Sequence, residues 1–94
     1  MYARAVRSTL PADKLDQATS AIQQNSPGLK QAPGFQHAVW FYDRETSALT
    51  AVVVFDSQAN SDAAWETLGK AATERIRALG GTPMVSGGEV IHHL

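Results

Sequence analysis

The longest apolar pattern in the chain lies at 33–55, PGFQHAVWFYDRETSALTAVVVF. Two arms, 35–43 and 48–55, are apolar at nearly every position rather than at every second one. A strand with one wet face alternates, whereas one covered on both faces runs apolar throughout. The link Asp43-Arg44-Glu45-Thr46-Ser47 is polar and has the length of a hairpin connection. The pattern therefore predicts a β-hairpin with cover on both of its faces.

The flanking segments supply part of that cover. Residues 2–10 read as a strand, with Ala3, Ala5, Arg7 and Thr9 on one face and Tyr2, Arg4, Val6, Ser8 and Leu10 on the other. Pro11 suits the first position of a helix, and Leu15, Ala18 and Ile22 form a thin stripe at helical spacing. Asn25-Ser26-Pro27-Gly28 is expected to end that helix, with one short turn at 29–32 before Pro33-Gly34. Ser57 is a candidate N-cap for a second helix over 57–79, with Asn60 or Ser61 the alternative caps one turn later, and its stripe runs Ala64 or Trp65, Leu68, Ala72, Ile76 and Leu79. Gly80-Gly81 stops it. A last strand follows over 82–92, where Gly87-Gly88 predicts a bulge or a close backbone approach.

The order β-α-β-β-α-β predicts an α+β, ferredoxin-like layer of two helices on a four-stranded antiparallel sheet, with the first and third strands central. Two helices cover one sheet face only. A second copy of the chain is the expected cover for the other, which makes the protein a homodimer.

Composition narrows the function classes. A chain of 94 residues is expected to be a single domain, 1–94. The formal charge of −1 gives no drive toward nucleic acid or acidic membranes. The arm 48–55 also lacks the basic and aromatic signature of an RNA-binding sheet. With no cysteine there is no thiolate chemistry, and adjacent His92 and His93 point to opposite faces of a strand, so no metal site is predicted. The first ten residues lack the apolar run of a signal peptide, and no stretch approaches the ~20 apolar residues of a membrane span. The expected location is the cytoplasm.

Several short motifs carry a resemblance. Pro33-Gly34-Phe35 before an apolar strand, the turn Asp43-Arg44-Glu45-Thr46, the strand end Phe55-Asp56-Ser57 and Trp65 early in the second helix resemble the dimeric α+β barrel superfamily, and within it the antibiotic biosynthesis monooxygenase group. The resemblance implies a homodimer whose two sheets close into a barrel, and a pocket in each subunit between sheet and helices. It implies an activity drawn from cofactor-free oxygenation of phenols, haem breakdown, or isomerisation and decarboxylation. The haem-degrading branch carries an Asn in the first strand and a His in the second helix. This chain has neither there, so no cofactor is expected.

A cofactor-free oxygenase needs a base to deprotonate a phenol and donors for the resulting oxyanion. His37 is the histidine set in an apolar strand and is the candidate base; Arg75, Tyr42 and Asn60 are the candidate donors. Trp65 reads first as a core aromatic and, compatibly, as a wall of an apolar pocket for a small aromatic ligand, with Leu68 one turn on. Trp40 and Tyr42 share one strand face and Phe35, His37, Val39 and Phe41 the other; the enrichment of Trp and Tyr at interfaces assigns Trp40 and Tyr42 to the dimer contact. Arg4 and Arg7 point to opposite faces of a central strand. Arg4 is expected near the sheet edge with its head in water. Glu89, the acid of the last strand, is expected to pair with Arg7 or Arg4, Arg7 foremost, or else the free arginine to line the pocket.

Overall fold

A computed structural model describes residues 1–94. Four strands, β1 (Tyr2–Thr9), β2 (Phe35–Asp43), β3 (Ala48–Phe55) and β4 (Met84–Glu89), form one antiparallel sheet in the order β2-β3-β1-β4. Helix α1 (Leu15–Lys30) makes the first crossover, and the segment from Gln58 to Ala78 makes the second. This is the ferredoxin-like β-α-β-β-α-β arrangement, with β1 and β3 in the centre. No helix is long and apolar enough to cross a membrane.

Local chemistry sets most of the boundaries. The Ser57 side chain accepts a hydrogen bond from the Asn60 amide and caps the second crossover. At its far end Gly80 has φ +94, and the amides of Gly80 and Gly81 donate to the carbonyls of Arg77 and Ile76. That closure needs a left-handed residue, which glycine adopts without strain. In the β2–β3 turn the Asp43 carboxylate accepts from the Glu45 amide at 2.9 Å.

Three local features differ from the expectations. First, α1 runs through Pro27 to Lys30 instead of ending at 25–28. Proline takes away one amide donor, but Leu29 lies on the stripe of Ala18 and Ile22 and packs under the sheet with them; this burial keeps the turn helical despite the local propensity. Second, β2 carries an irregularity between Phe35 and His37. It puts Phe35 on the same side as Phe55, ring to ring at 5.9 Å and edge-on, while His37 falls on the other face. Third, the second crossover holds a π turn at Trp65–Gly69 between α2 (Gln58–Ala64) and α3 (Lys70–Ala78). The β4 pairing is continuous across Gly87-Gly88, so there is no bulge there. Gly87 instead gives room to Tyr2, whose hydroxyl would stand 2.6 Å from a Cβ at that position.

The sheet's two faces are unlike. Val6, Ser8, Leu49, Ala51, Val53 and Trp40 point toward the helices. Tyr42 joins them, donating from its hydroxyl to the Leu10 carbonyl at 2.7 Å and packing on the cluster of Leu10, Ala18 and Leu49. The expectation that Trp40 and Tyr42 form a subunit contact is thus corrected: they pair with Ala51 and Leu49, whose side chains lie on the helix side, so this pair faces inward. The opposite face has no helix over it. There Val39 is 52% exposed, Phe41 55% and Met84 76%.

Candidate ligand cavity

Between sheet and helices lies a cavity of about 160 Å³. Its floor is the inward face of β1, β2 and β3, and its roof comes from α1 and from the second crossover around the π turn. Sixteen of its 24 lining residues are hydrophobic, and both tryptophans of the chain are among them. The cavity exists because the packing stripes are built of small residues, Ala18 and Ala21 on one helix and Ala64, Gly69 and Ala72 on the other.

The π turn governs the position of Trp65. Its extra residue per turn is closed by the Lys70 amide on the Trp65 carbonyl. The indole then lies against Gly69, where an added Cβ would come within 2.3 Å of Trp65 Cε3. Glycine at 69 is therefore a condition of the ring's placement.

Arg4 stands at the same end. Its side chain is 18% exposed and forms an ion pair with Asp62, and its Nε donates a long hydrogen bond, 3.4 Å, to Ser61 Oγ. Its guanidinium carbon lies 5.2 Å from the Trp65 ring centre and 5.8 Å from that of Tyr2. Both rings are within cation–π range. The expectation of a solvated Arg4 is corrected, and so is its pairing with Glu89. The β1–β4 register sets exposed Glu89 beside Tyr2, and the partner comes from α2 instead.

The remaining candidates divide between the two faces. Trp65, Leu68 and Arg75 line the cavity. Arg7 does not: it is exposed on the uncovered face, where its charge makes a minor contribution to lowering the Asp43 carboxyl; the chief cause is the Glu45 amide. His37 is exposed on that face too, with the sheet between it and the cavity, so the assignment of His37 as a base for the cavity is corrected. Tyr42 lies beside the cavity with its hydroxyl committed to Leu10. Asn60 lines a separate hollow with Pro33 and Thr67. Its amide nitrogen donates to Asp56 Oδ1 at 2.8 Å, and both atoms sit over Gly34, where a Cβ would come within 2.5 Å of each. Gly34 has φ +79. Asn60 thus clasps the two strand ends carrying Pro33-Gly34-Phe35 and Phe55-Asp56-Ser57 instead of donating into the cavity.

The lining contains Arg4 and Arg75 but no Asp, Glu, Lys, His or Tyr. It offers no side chain that could accept a proton near neutral pH, and none of the usual axial ligands for a haem iron. Sequence reasoning missed Arg4, Trp40 and Asn25 as cavity residues. Strand parity was the available signal for Arg4, since it shares a face with Val6 and Leu10.

No family model matches the sequence, and no curated protein matches it. Solved structures do match over essentially the whole chain. SnoaB, a cofactor-independent oxygenase from Streptomyces nogalater, superposes with a TM-score of 0.81 at 17% identity, over 99% of this chain and 95% of that one. An antibiotic biosynthesis monooxygenase superposes at 0.78 and 13% identity, over 98% and 100%. A dimeric ferredoxin-like protein from an uncultured marine organism superposes at 0.76 and 13% identity, over 100% and 98%. The structural neighbours are thus antibiotic biosynthesis monooxygenase-like proteins, and at these identities the likeness is one of fold.

Proposed function

We propose that the protein is a homodimer that binds a small aromatic molecule in the cavity of each subunit, and that its reaction is cofactor-independent oxygenation of a phenolic compound. The observation that carries the binding reading is the cavity itself: apolar, roofed by helices and walled by Trp40 and Trp65. Its volume of about 160 Å³ is close to that of an apolar protein cavity that takes up benzene, roughly 150 Å³. This size favours a one-ring phenolic body over a polycyclic one. The exposed Val39, Phe41 and Met84 support a second copy as cover for the other sheet face.

The oxygenase reading is supported by fold likeness to an oxygenase, which is a weaker warrant than site chemistry. The reaction would run without an added reductant. The ionised phenol has carbanion character at the ring carbon para to its oxygen, and that carbon gives electrons to O2 to form a C–O bond. Loss of water from the hydroperoxide, with the hydrogen of that carbon, leaves a quinone carbonyl. One oxygen atom ends in the product, the other in water, and all four electrons come from the ring. With no base in the lining, the proton leaves to solvent. That same gap favours a second reading, binding without turnover.

Oxygen uptake with a series of phenols of one to three rings, ending at 1,8-dihydroxyanthrone, separates the two. Consumption of one 18O2 per molecule converted, with one labelled atom in the product, is the expected result. Saturable binding without uptake would leave the second reading, and no binding by any member would remove the cavity as a ligand site.

A further inference from the structure

We propose that the cavity selects aromatic anions, a carboxylate or phenolate on an apolar ring, and that Arg4 is the group that recognises the charge. This rests on the reading of the cavity as a ligand site and names the class of ligand that it takes. The first observation is the charge of the wall. Both ionised side chains in the lining are positive, and no acid accompanies them. Asp62, the partner of Arg4, is outside the lining and 55% exposed. Arg75, thirteen positions past Asp62 on the same crossover, has no acidic partner, since the ion pairs there are Lys70–Glu66 and Arg77–Glu74.

The second observation is the state of the Arg4 donors. A guanidinium carries five N–H groups in a fixed fork. Nε is turned to Ser61 and Nη2 to Asp62, while Nη1 donates to nothing in the chain. Tyr2 and Trp65 both lie within cation–π range of the group, and Asp62 fixes one edge. A fork already held in place loses little freedom when a ligand oxygen arrives, so its remaining donors are well suited to an anion. Trp65 touches both the guanidinium and the cavity, so a ring seated against it lies next to that charge.

The test pairs 4-ethylbenzoate with its neutral counterpart 4-ethylbenzamide. Binding is read by the intrinsic fluorescence of Trp40 and Trp65 and by calorimetry at pH 7. Wild-type protein is expected to bind the carboxylate about tenfold more tightly, the worth of one hydrogen bond to a charged group. Arg4→Gln should bring the ratio near one with amide affinity kept, and Arg4→Lys should keep part of the preference. Arg7→Gln, on the other face of the sheet, should leave the ratio unchanged. Equal binding of acid and amide by wild-type protein overturns the anion proposal while the ligand site stands. An equal loss of preference in the Arg4 and Arg7 variants overturns the role of Arg4, because net charge alone would then account for it. Binding of neither probe removes the ligand site and this proposal together.

Discussion

The two faces of this sheet come from the same strands by simple alternation, yet they are built in opposite ways. The face under the helices is covered but loosely filled: its small residues leave a cavity, and its charge near the π turn, Arg4, is held by aromatic rings and a helix carboxylate. The other face is open but carries side chains of interior type, with Val39 opposite Val52 on β3 and Phe41 next along β2. A covered face with space and an uncovered face with excess apolar surface invite different occupants. The first suits a small molecule, the second a large and complementary surface. The lesson is that burial in a single chain does not locate function here; each face is defined by what it still needs.

The largest expected effect lies on the open face. Phe41→Asp replaces a side chain that is more than half exposed in the single chain, so the subunit should fold. In a dimer packed on that face it would set charges into apolar surroundings, and association should weaken by about a hundredfold, ~3 kcal/mol. Sedimentation at micromolar concentration should show the wild-type protein at twice 10.1 kDa and the variant near the single-chain mass. Equal masses would mean that this face is not the contact.

Next comes the cavity. Gly69→Ala must displace the Trp65 ring, since its methyl would stand 2.3 Å from Cε3. The gain in helix propensity, up to ~1 kcal/mol, offsets part of an overpacking cost of about 1–3 kcal/mol. Stability should therefore change little, while affinity for an aromatic probe falls and the dimer persists. Parallel loss of dimer and binding would show that the two faces are not independent. Tyr42→Phe removes the hydroxyl bonded to Leu10 and should cost about 1 kcal/mol by urea unfolding, with binding and dimer unchanged. A loss of binding would place Tyr42 in the site after all.

The smallest effect is one of pH. The Glu45 amide, first among its causes, holds the Asp43 carboxyl below its ordinary 3.8. Its contribution to the β2–β3 turn is present above that value and is lost as pH falls through the lowered one. Protection of the Glu45 amide against exchange should drop in that acid window and should be absent throughout in Asp43→Asn. A titration displaced above 3.8 would contradict the turn geometry.

Much of this architecture was legible in the sequence because local signals determine it. The unbroken apolar runs delimited β2 and β3 to the residue, Ser57 marked its helix start, and Gly80-Gly81 marked the stop. What was not legible depends on single-residue offsets or on distant partners. One irregularity near Gln36 moved Phe35 to the inner face, away from His37, Val39 and Phe41, and parity alone could not foresee it. Pro27 stays within α1 because Leu29 has a place to pack, which is a tertiary fact. Arg4 found Asp62, 58 positions away, where strand neighbours had directed attention to Glu89. The cavity was expected from the resemblance alone, and Trp65 and Leu68 from their helical phase, but the π turn that aims Trp65 has no evident sequence mark beyond Gly69.

The central claim, that the two faces have two occupants, is tested most directly by a single titration. Protein labelled with 15N is titrated with 4-ethylphenol and followed by amide and indole resonances. The account predicts shifts at the indole N–H of Trp40 and Trp65 and at amides around the π turn, with His37, Val39 and Phe41 unmoved and the rotational correlation time that of a dimer throughout. Shifts centred on His37, Val39 and Phe41 with silent indoles, or a fall to the single-chain correlation time as ligand binds, would contradict it.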